Sequence, residues 1–193
     1  MSSHSLPPNF FETLYAKNAD PWNFLTSEYE AQKYTTTLAA LPRPYYDSVL
    51  EIGGSIGVFT AQLAPRCHSI LSIDVSAAAQ EQAKIRCQAW QGVRFQLMQI
   101  PQEFPPETFD LVVLSEVGYY WSLPDLQRAK AGILEHLRPQ GQIILVHWTV
   151  DAENLPLTGE QVHDSFMELV PTALTHLQGY RTPQYRLDLF ELV

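Results

Sequence analysis

The sequence contains few cysteines and few positive charges. Its two cysteines, Cys67 and Cys87, are twenty residues apart. They lack the CxxC spacing of metal and redox sites, so we expect a reduced, packed pair and no metal. Twelve Lys and Arg residues against 21 Asp and Glu give a net charge of -9. Nucleic-acid phosphates need clustered basic residues, so this charge argues against a nucleic-acid partner and fits a neutral or cationic small molecule.

Long apolar runs are also missing. No stretch approaches the roughly 18 residues that span a bilayer, and the N-terminal "MSSHSLPPNF" lacks the apolar segment of a secretory signal. We therefore expect no membrane partner and a cytoplasmic location. The 193 residues, 46% of them hydrophobic, suffice for one well-buried domain and are too few for two ordinary ones. A monomer or a homodimer is expected.

From residue 47 onward, strand-like segments alternate with helical ones. Five strands are predicted at "SVLEI", "SILSIDV", "VRFQLM", "FDLVVLSEV" and "QIILVHW". One intervening helix should be capped by Ser76, and another should run from about Leu123 to Leu137 and end at "RPQG". The alternation predicts an α/β fold with a mostly parallel sheet covered by helices. The final "LTHLQGYRTPQYRLDLFELV" adds two strands around "RTPQ", which makes a seven-stranded sheet with an antiparallel C-terminal hairpin.

The ends of the chain differ from this alternating middle. Before residue 47, "FFETLYAK" and "SEYEAQKYTTTLAAL" predict two helices joined by "NADPWNF". We predict a single domain with a helical cap at 1–46, a core at 47–149, a lid or substrate-pocket insertion at 150–170 and the terminal hairpin at 171–193. The insertion contains a helix with Thr158 as its cap.

The stretch "VLEIGGSIGVF" places three glycines directly after the first predicted strand. In open α/β sheets, ligands bind beyond the carboxyl ends of strands. Gly53, Gly54 and Gly57 let a ligand approach the backbone there and permit positive φ angles. Asp74 ends the next strand, seventeen residues after Gly57, where its carboxylate can accept both hydroxyls of a ribose. This pairing indicates an adenosyl group.

Glycine spacing distinguishes the classes of protein that bind a nucleotide at a glycine-rich bend after a strand. The dinucleotide fingerprint would need glycines at positions 55 and 58, where the chain has Ser55 and Val58. A P-loop is excluded because no Gly-Lys-Ser/Thr follows the bend. A nicotinamide-dependent oxidoreductase is therefore disfavoured.

The stretch "LEIGGSIG" resembles motif I of the class I S-adenosylmethionine-dependent methyltransferases, usually E/D-x-G-x-G-x-G, with Ser55 at the middle glycine. "FDLVVLSEV" and "LRPQGQIILV" extend the resemblance over residues 47 to 148. It implies a Rossmann-like class I fold and S-adenosyl-L-methionine as cofactor, with S-adenosyl-L-homocysteine as product. Gln99 stands where many relatives carry an acid for the adenine amino group, and an amide oxygen can also accept that bond. The expected cofactor-binding residues in this part of the chain are Glu51, Gly53, Gly54, Ser55, Gly57, Asp74, Val75, Gln99, Ile100 and Ser115.

The segments "DPWNFLTSEYEAQKY", "LSEVGYYW", "LVHW" and "PLTGEQVHD" are similar to the nodulation protein S (NodS-like) group, whose members methylate an amine on a chitooligosaccharide. This resemblance implies that Trp22 and Tyr34 close over the cofactor, although an aromatic stripe packed on the sheet is the alternative. It also implies a small-molecule amine acceptor, with an aminosugar as the first candidate.

The candidate catalytic residues follow the fourth and fifth strands. Glu116 would hold an ammonium group or accept its proton, or else be a solvated capping acid. Tyr119 and Tyr120 would line the acceptor pocket or pack in the core. His147 would act as a base or be structural, and His163 would line the lid. Methyl transfer is an in-line displacement that needs alignment and no metal.

Three functions remain open from the sequence. The leading one is an N-methyltransferase. The second is a small-molecule O-methyltransferase that uses His147 as its base. The third is a non-catalytic cofactor-binding protein of the same fold.

Overall fold

The computed structural model describes residues 4–150 and 154–193. These residues carry seven strands, which belong to one mixed sheet, and the predicted seven-stranded fold with an antiparallel C-terminal hairpin is confirmed. The described residues divide into two compact units, one formed by Pro7–Gln99 and one by residues 4–6, 100–150 and 154–193, called the Ile100–Val193 unit below. Our division into cap, core, insertion and hairpin stays a prediction. Residues 151–153 of the predicted insertion lie outside the described residues.

The Pro7–Gln99 unit contains both predicted cap helices and three parallel strands in the order β3-β2-β1. Its elements are α1 (Pro8–Lys17), α2 (Glu28–Ala40), β1 (Tyr46–Ile52), α3 (Val58–Leu63), a 3₁₀ turn (Ala64–Arg66), β2 (Cys67–Asp74), α4 (Ala77–Arg86) and β3 (Val93–Leu97).

Local sequence signals set the helix boundaries of this unit. The Ser27 hydroxyl accepts from the Glu30 N–H at the start of α2, and Ser76 accepts from the Ala79 N–H at the start of α4. Such N-caps satisfy backbone donors that a helix leaves unpaired. The last four residues of β1 and the four residues before Asp74 in β2 are buried, as expected for parallel strands covered on both faces.

The Ile100–Val193 unit has the strand order β4-β5-β7-β6, with β4 and β5 parallel and the other pairs antiparallel. Its elements are β4 (Phe109–Ser115), a 3₁₀ turn (Gly118–Tyr120), α5 (Leu123–Glu135), β5 (Leu137–Trp148), α6 (Gly159–Met167), β6 (Leu174–Arg181) and β7 (Tyr185–Leu192).

One boundary prediction in this unit was wrong. The helix predicted to end at "RPQG" ends at Glu135, and "RPQG" belongs to β5. The register of β5 against β4 shifts between Phe109 and Leu111, and Gln140 has a φ of 61°. The irregularity lets the chain enter the strand without a separate loop.

The two predicted turn and cap signals near the C-terminus are confirmed. Thr158 and Gln161 form a reciprocal capping box at the start of α6. The hairpin turn is held by Thr182, whose Oγ1 accepts from the Gln184 and Tyr185 N–H groups at 3.1 and 3.0 Å. Across the described residues, no helix combines the length and the apolar character that crossing a membrane requires.

Candidate active site

The glycine bend after β1 is built from left-handed backbone conformations. Gly53, Ser55 and Gly57 have φ angles of 79°, 51° and 77°. The N–H groups of Gly53 and Gly54 both donate to the Ile73 carbonyl of β2, at 2.8 and 3.1 Å. A positive φ is uncommon for serine, and such conformations persist where surrounding structure imposes them, often at ligand sites.

Two of the glycines are required by close approach. A Cβ on Gly54 would lie 1.9 Å from the Ser72 Oγ, and one on Gly57 would lie 2.9 Å from the Ala83 Cα of α4. Neither separation is sterically allowed. The bend therefore packs against β2 and α4 as closely as backbone atoms permit, which explains the glycines as the sequence places them.

Replacing Gly57 with Ala is expected to destabilise the protein by ~1–3 kcal/mol, because alanine is strained at a positive φ and its Cβ would crowd Ala83. The free energy of unfolding from urea denaturation measures the effect. An unchanged midpoint and slope would mean that the bend relaxes freely and is not held by α4.

Glu51, the acid of the motif, lies beneath the bend and is only 3% exposed. Its Oε2 accepts from the Thr60 hydroxyl at 2.5 Å, and Ser72 also hydrogen bonds to it. Burial raises the pKa of Glu51, and the two hydroxyl donors oppose that rise. These contacts brace the bend from inside, and the predicted contact of Glu51 with a cofactor stays a prediction.

Asp74 joins the bend to the start of α4. Its Oδ2 accepts from the Ser55 N–H at 2.8 Å, and its Oδ1 accepts from the Ser76 N–H at 2.9 Å. Burial raises the pKa of Asp74, while the N–H groups of Ser76, Ser55 and Val75 lower it. A carboxylate offers about four lone-pair directions, so these three donors leave acceptor capacity for a further one.

The aromatic residues of the cap form a packed row. Trp22 packs against Tyr15 and Phe24, with ring centroids 5.6 and 5.7 Å apart. Tyr34 is buried between Phe24 and Phe59, at 6.4 and 5.3 Å. This row matches the packing alternative for Trp22 and Tyr34, and closure over a cofactor stays a prediction.

The remaining predicted cofactor residues lie at the ends of three strands or shortly after them. Val75 and Gln99 are half-buried and come after β2 and β3 in the first unit. In the second unit, Ile100 is buried and Ser115 is the half-buried last residue of β4. Their assigned contacts stay predictions.

In the second unit, Glu116 directly follows β4 and has a φ of 59°. Its N–H donates to the Val146 carbonyl at 2.8 Å. Its Oε2 accepts from the Tyr119 hydroxyl at 2.5 Å and from the Trp148 N–H at 3.0 Å. A strained backbone and two donors on one oxygen fix the direction of this carboxylate.

Tyr119 and Tyr120 lie beside Glu116, with their rings edge to face at 4.7 Å. Burial and then the negative charge of Glu116 raise the pKa of both hydroxyls. Both tyrosines are therefore neutral hydroxyl groups at physiological pH, and Tyr119 can donate to the carboxylate.

His147, near the end of β5, is fully buried. Its Nε2 accepts from the Gly118 N–H at 3.1 Å, and its Nδ1 lies 3.1 Å from the His163 Nε2 of α6. A backbone N–H can only donate, so Nε2 carries the lone pair and Nδ1 carries the proton. The single lone pair of the neutral ring is thus engaged, which speaks against His147 as a base.

A family model described as nodulation protein S (NodS) matches residues 12–149. The chain belongs to the nodulation protein S family. The matched range holds the glycine bend, Asp74, Glu116 and His147, whereas His163 lies beyond it.

Curated nodulation protein S sequences from rhizobia are similar to this chain. NodS of Bradyrhizobium diazoefficiens is 32% identical over 127 residues, 65% of this chain and 61% of that protein. NodS of Rhizobium tropici is 28% identical over 127 residues, 65% of this chain and 53% of that protein. The chain thus spans 53 to 61% of the lengths of these curated relatives.

A solved structure extends the likeness over nearly the whole chain. The N-methyltransferase NodS from Bradyrhizobium japonicum WM9, in complex with S-adenosyl-L-homocysteine, matches with a TM-score of 0.85 and 27% identity. The match covers 95% of this chain and 97% of that one. The fold of this NodS-family chain is therefore that of the class I methyltransferases, as the sequence predicted.

Helix α1 makes two contacts that the sequence did not predict, one to the glycine bend and one to the start of α4. The Tyr15 hydroxyl hydrogen bonds to the Ser55 hydroxyl, and Glu12 accepts from the Ser76 hydroxyl at 2.6 Å. The hydrogen bond from Ser76 is the main cause of the lowered pKa of Glu12. Residues three apart share a helix face, so the spacing of Glu12 and Tyr15 was the sequence feature that could have indicated a common contact surface. In this NodS-family chain, the serine at the middle glycine position thus has a partner.

Asp188 of β7 is a further residue whose contacts the sequence did not predict. It is 3% exposed, and its Oδ2 accepts from His163 Nδ1 at 2.6 Å. The sequence feature that could have indicated this role is an acid within the apolar strand stretch "LDLF", because a buried carboxylate needs a partner.

Proposed function

We propose that the chain is an S-adenosylmethionine-dependent N-methyltransferase that acts on an amine of a small molecule, with aminosugars as the first acceptors to try. The observation that carries the proposal is the match along 95% of the chain to a NodS N-methyltransferase in complex with S-adenosyl-L-homocysteine. The fixed Glu116 carboxylate supports an amine as the acceptor.

The residues of the glycine bend fit the cofactor. The positive φ angles of Gly53, Ser55 and Gly57 shape the bend, and the absence of a Cβ on Gly54 and Gly57 lets it pack closely on Ser72 and Ala83. Asp74 accepts from the backbone N–H groups of Ser55, Ser76 and Val75 and keeps acceptor capacity for a hydroxyl donor. We assign the ribose to Asp74 and the amino-acid part to the bend. When bound, the cofactor supplies an electrophilic methyl group on a sulfonium.

The chain's own residues then have to orient an amine and receive its proton. An amine attacks only with a free lone pair, so an ammonium must first lose a proton. The carboxylate of Glu116 attracts an ammonium and repels a carboxylate acceptor. Tyr119 and the Trp148 N–H occupy one oxygen and hold the group in place. We assign ammonium binding to Glu116 and the acceptor walls to Tyr119 and Tyr120.

The alternative of an O-methyltransferase would need a base for a hydroxyl acceptor. His147, assigned that role from the sequence, uses its lone pair on the Gly118 N–H. His163 is likewise buried, with both ring nitrogens engaged. These hydrogen bonds therefore favour a structural role for both histidines over proton abstraction.

The proposal predicts transfer to nitrogen in a direct competition of acceptors. The protein, S-adenosylmethionine carrying a deuterated methyl group and a mixture of amines, aminosugars and hydroxylated metabolites would be incubated, and products identified by mass spectrometry. We expect labelled N-methyl products, in amounts that match the S-adenosyl-L-homocysteine formed.

Labelled products on oxygen alone would overturn the amine assignment while leaving methyl transfer standing. Binding of the cofactor with no transfer to any member of the mixture would favour a non-catalytic cofactor-binding protein. The small-molecule size of the acceptor, the cytoplasmic location and a monomeric or dimeric state stay predictions.

A further inference from the structure

We propose that His163 and Asp188 are positioning residues for Glu116, acting through a hydrogen-bonded series that runs from Asp188 through His163 and His147 to the Gly118 N–H. The inference rests on the proposed function, because the position of Glu116 affects turnover only if Glu116 binds the amine acceptor. The series lies wholly within the Ile100–Val193 unit.

The protonation of the series follows from its two ends. The Gly118 N–H donates to His147 Nε2 at 3.1 Å, which places the His147 proton on Nδ1. That N–H donates to His163 Nε2 at 3.1 Å, which places the His163 proton on Nδ1. The His163 N–H then donates to Asp188 Oδ2 at 2.6 Å. Each step leaves one allowed tautomer, so the series has a single direction.

The Asp188 end is anchored by further donors. Arg186 Nε donates to Asp188 Oδ2 at 2.6 Å, and His176 Nε2 donates to Oδ1 at 2.8 Å. Burial alone would raise the pKa of Asp188, but the bonds from His163 and the charge of Arg186 bring it below its usual value. Burial also lowers the pKa of His163. A charged acceptor and neutral rings are what the geometry requires.

The other end of the series holds the turn that carries Tyr119. A Cβ on Gly118 would lie 3.0 Å from His147 Nε2 and 2.6 Å from a Val162 methyl carbon. The turn therefore packs directly against the imidazole and α6. Tyr119 is the next residue, and its hydroxyl holds the Glu116 oxygen at 2.5 Å. A shift of this turn changes where the carboxylate points.

The series predicts a loss of turnover without loss of cofactor binding when His163 is replaced. His163→Phe keeps a ring but removes both hydrogen bonds, and we expect kcat to fall about 10- to 100-fold because misplacement of a reacting group by about 1 Å has effects of that size. The acceptor KM and the affinity for S-adenosyl-L-homocysteine should change much less. His163→Gln retains an amide oxygen that can accept from His147, and it should recover part of the rate.

A matched control is His136→Phe. His136 lies at the end of α5, where its Nδ1 is 2.7 Å from the Gly132 carbonyl oxygen, and it takes no part in the series from Asp188 to Gly118. The same histidine-to-phenylalanine change there should leave kcat within about twofold of the unmodified protein, well below the loss expected from displacing a reacting group. A loss in His136→Phe as large as that in His163→Phe would overturn the directed series.

A second readout does not depend on activity. Long-range ¹H–¹⁵N spectra of the free protein, labelled at histidine, report which ring nitrogen carries the proton. We expect His147 and His163 to be neutral with the proton on Nδ1. A proton on Nε2 of either ring would overturn the inference, even if the protein methylates an amine.

The two readouts separate this inference from the proposed function. If the unmodified protein transfers no methyl group, the proposed function fails, and positioning for catalysis fails with it whatever the spectrum shows. If the unmodified protein methylates an amine and folded His163→Phe keeps full kcat, only the positioning role is overturned. If His163→Phe does not fold, His163→Gln and the spectrum of the unmodified protein decide.

Discussion

Glu116→Gln is expected to lower kcat for amine methylation by about 10²- to 10⁴-fold, the usual contribution of a group that handles a proton in the transition state. The amide oxygen can still accept from Tyr119 and from the Trp148 N–H, so the local structure should persist. What disappears is the negative charge that attracts an ammonium and receives its proton. Steady-state kinetics with the amine found in the acceptor mixture would measure kcat and KM.

The matched control for this variant is Glu135→Gln, which neutralises an exposed acid at the end of α5. It makes the same change in net charge, so it removes any effect of overall charge from the comparison. The affinity of Glu116→Gln for S-adenosyl-L-homocysteine should equal that of the unmodified protein. Full turnover in Glu116→Gln would remove Glu116 from the chemistry.

Asp74→Ala should weaken binding of S-adenosyl-L-homocysteine by about 10- to 100-fold or more. Hydrogen bonds to a charged acceptor contribute ~1.5–3 kcal/mol each at most, and the ribose offers two hydroxyls. The variant also leaves the Ser55 and Ser76 N–H groups without their acceptor, which loosens the bend. Isothermal titration calorimetry would measure the dissociation constant.

Two comparison variants sharpen the Asp74 result. Asp74→Asn keeps the shape and one acceptor oxygen, so its affinity should lie between those of Asp74→Ala and the unmodified protein. Glu81→Ala removes an exposed acid of α4 that pairs with Lys84, and its affinity should be unchanged. An unchanged affinity in Asp74→Ala would take the carboxylate out of the binding site.

The elements that the sequence predicted are those with a local physical cause. The parallel strands appear as buried apolar runs between helices, since helices cover both of their faces. Ser76 and Thr158 mark helix starts through caps that act within one turn. The hairpin was readable because Thr182 holds its turn through groups two and three residues away.

The contacts that the sequence did not predict join residues far apart in the chain. Tyr15 meets Ser55 forty residues later, and His163 meets Asp188 twenty-five residues later. No local pattern specifies such partners, because they depend on how elements pack. The end of α5 was misplaced for a related reason, since pairing with β4 draws "RPQG" into β5.

The placement of the Glu116 carboxylate could be predicted from the sequence only in part. Its position after the fourth strand predicted a role, whereas its two anchoring donors come from Tyr119 and from Trp148 of β5. The first donor is three residues away and visible in the sequence, but the second follows only from strand pairing. Burial of His147 behind Gly118 likewise required the structure.

A crystal structure of the protein with S-adenosyl-L-homocysteine would test most directly that the glycine bend is the cofactor site. We expect both ribose hydroxyls within hydrogen-bond distance of the Asp74 carboxylate, with the amino-acid part against the backbone of Gly53 to Gly57. The Ser55 and Ser76 N–H groups should still donate to Asp74 in the complex. Density for the ligand elsewhere, with no contact between Asp74 and the ribose, would show that the glycine bend is not the cofactor site.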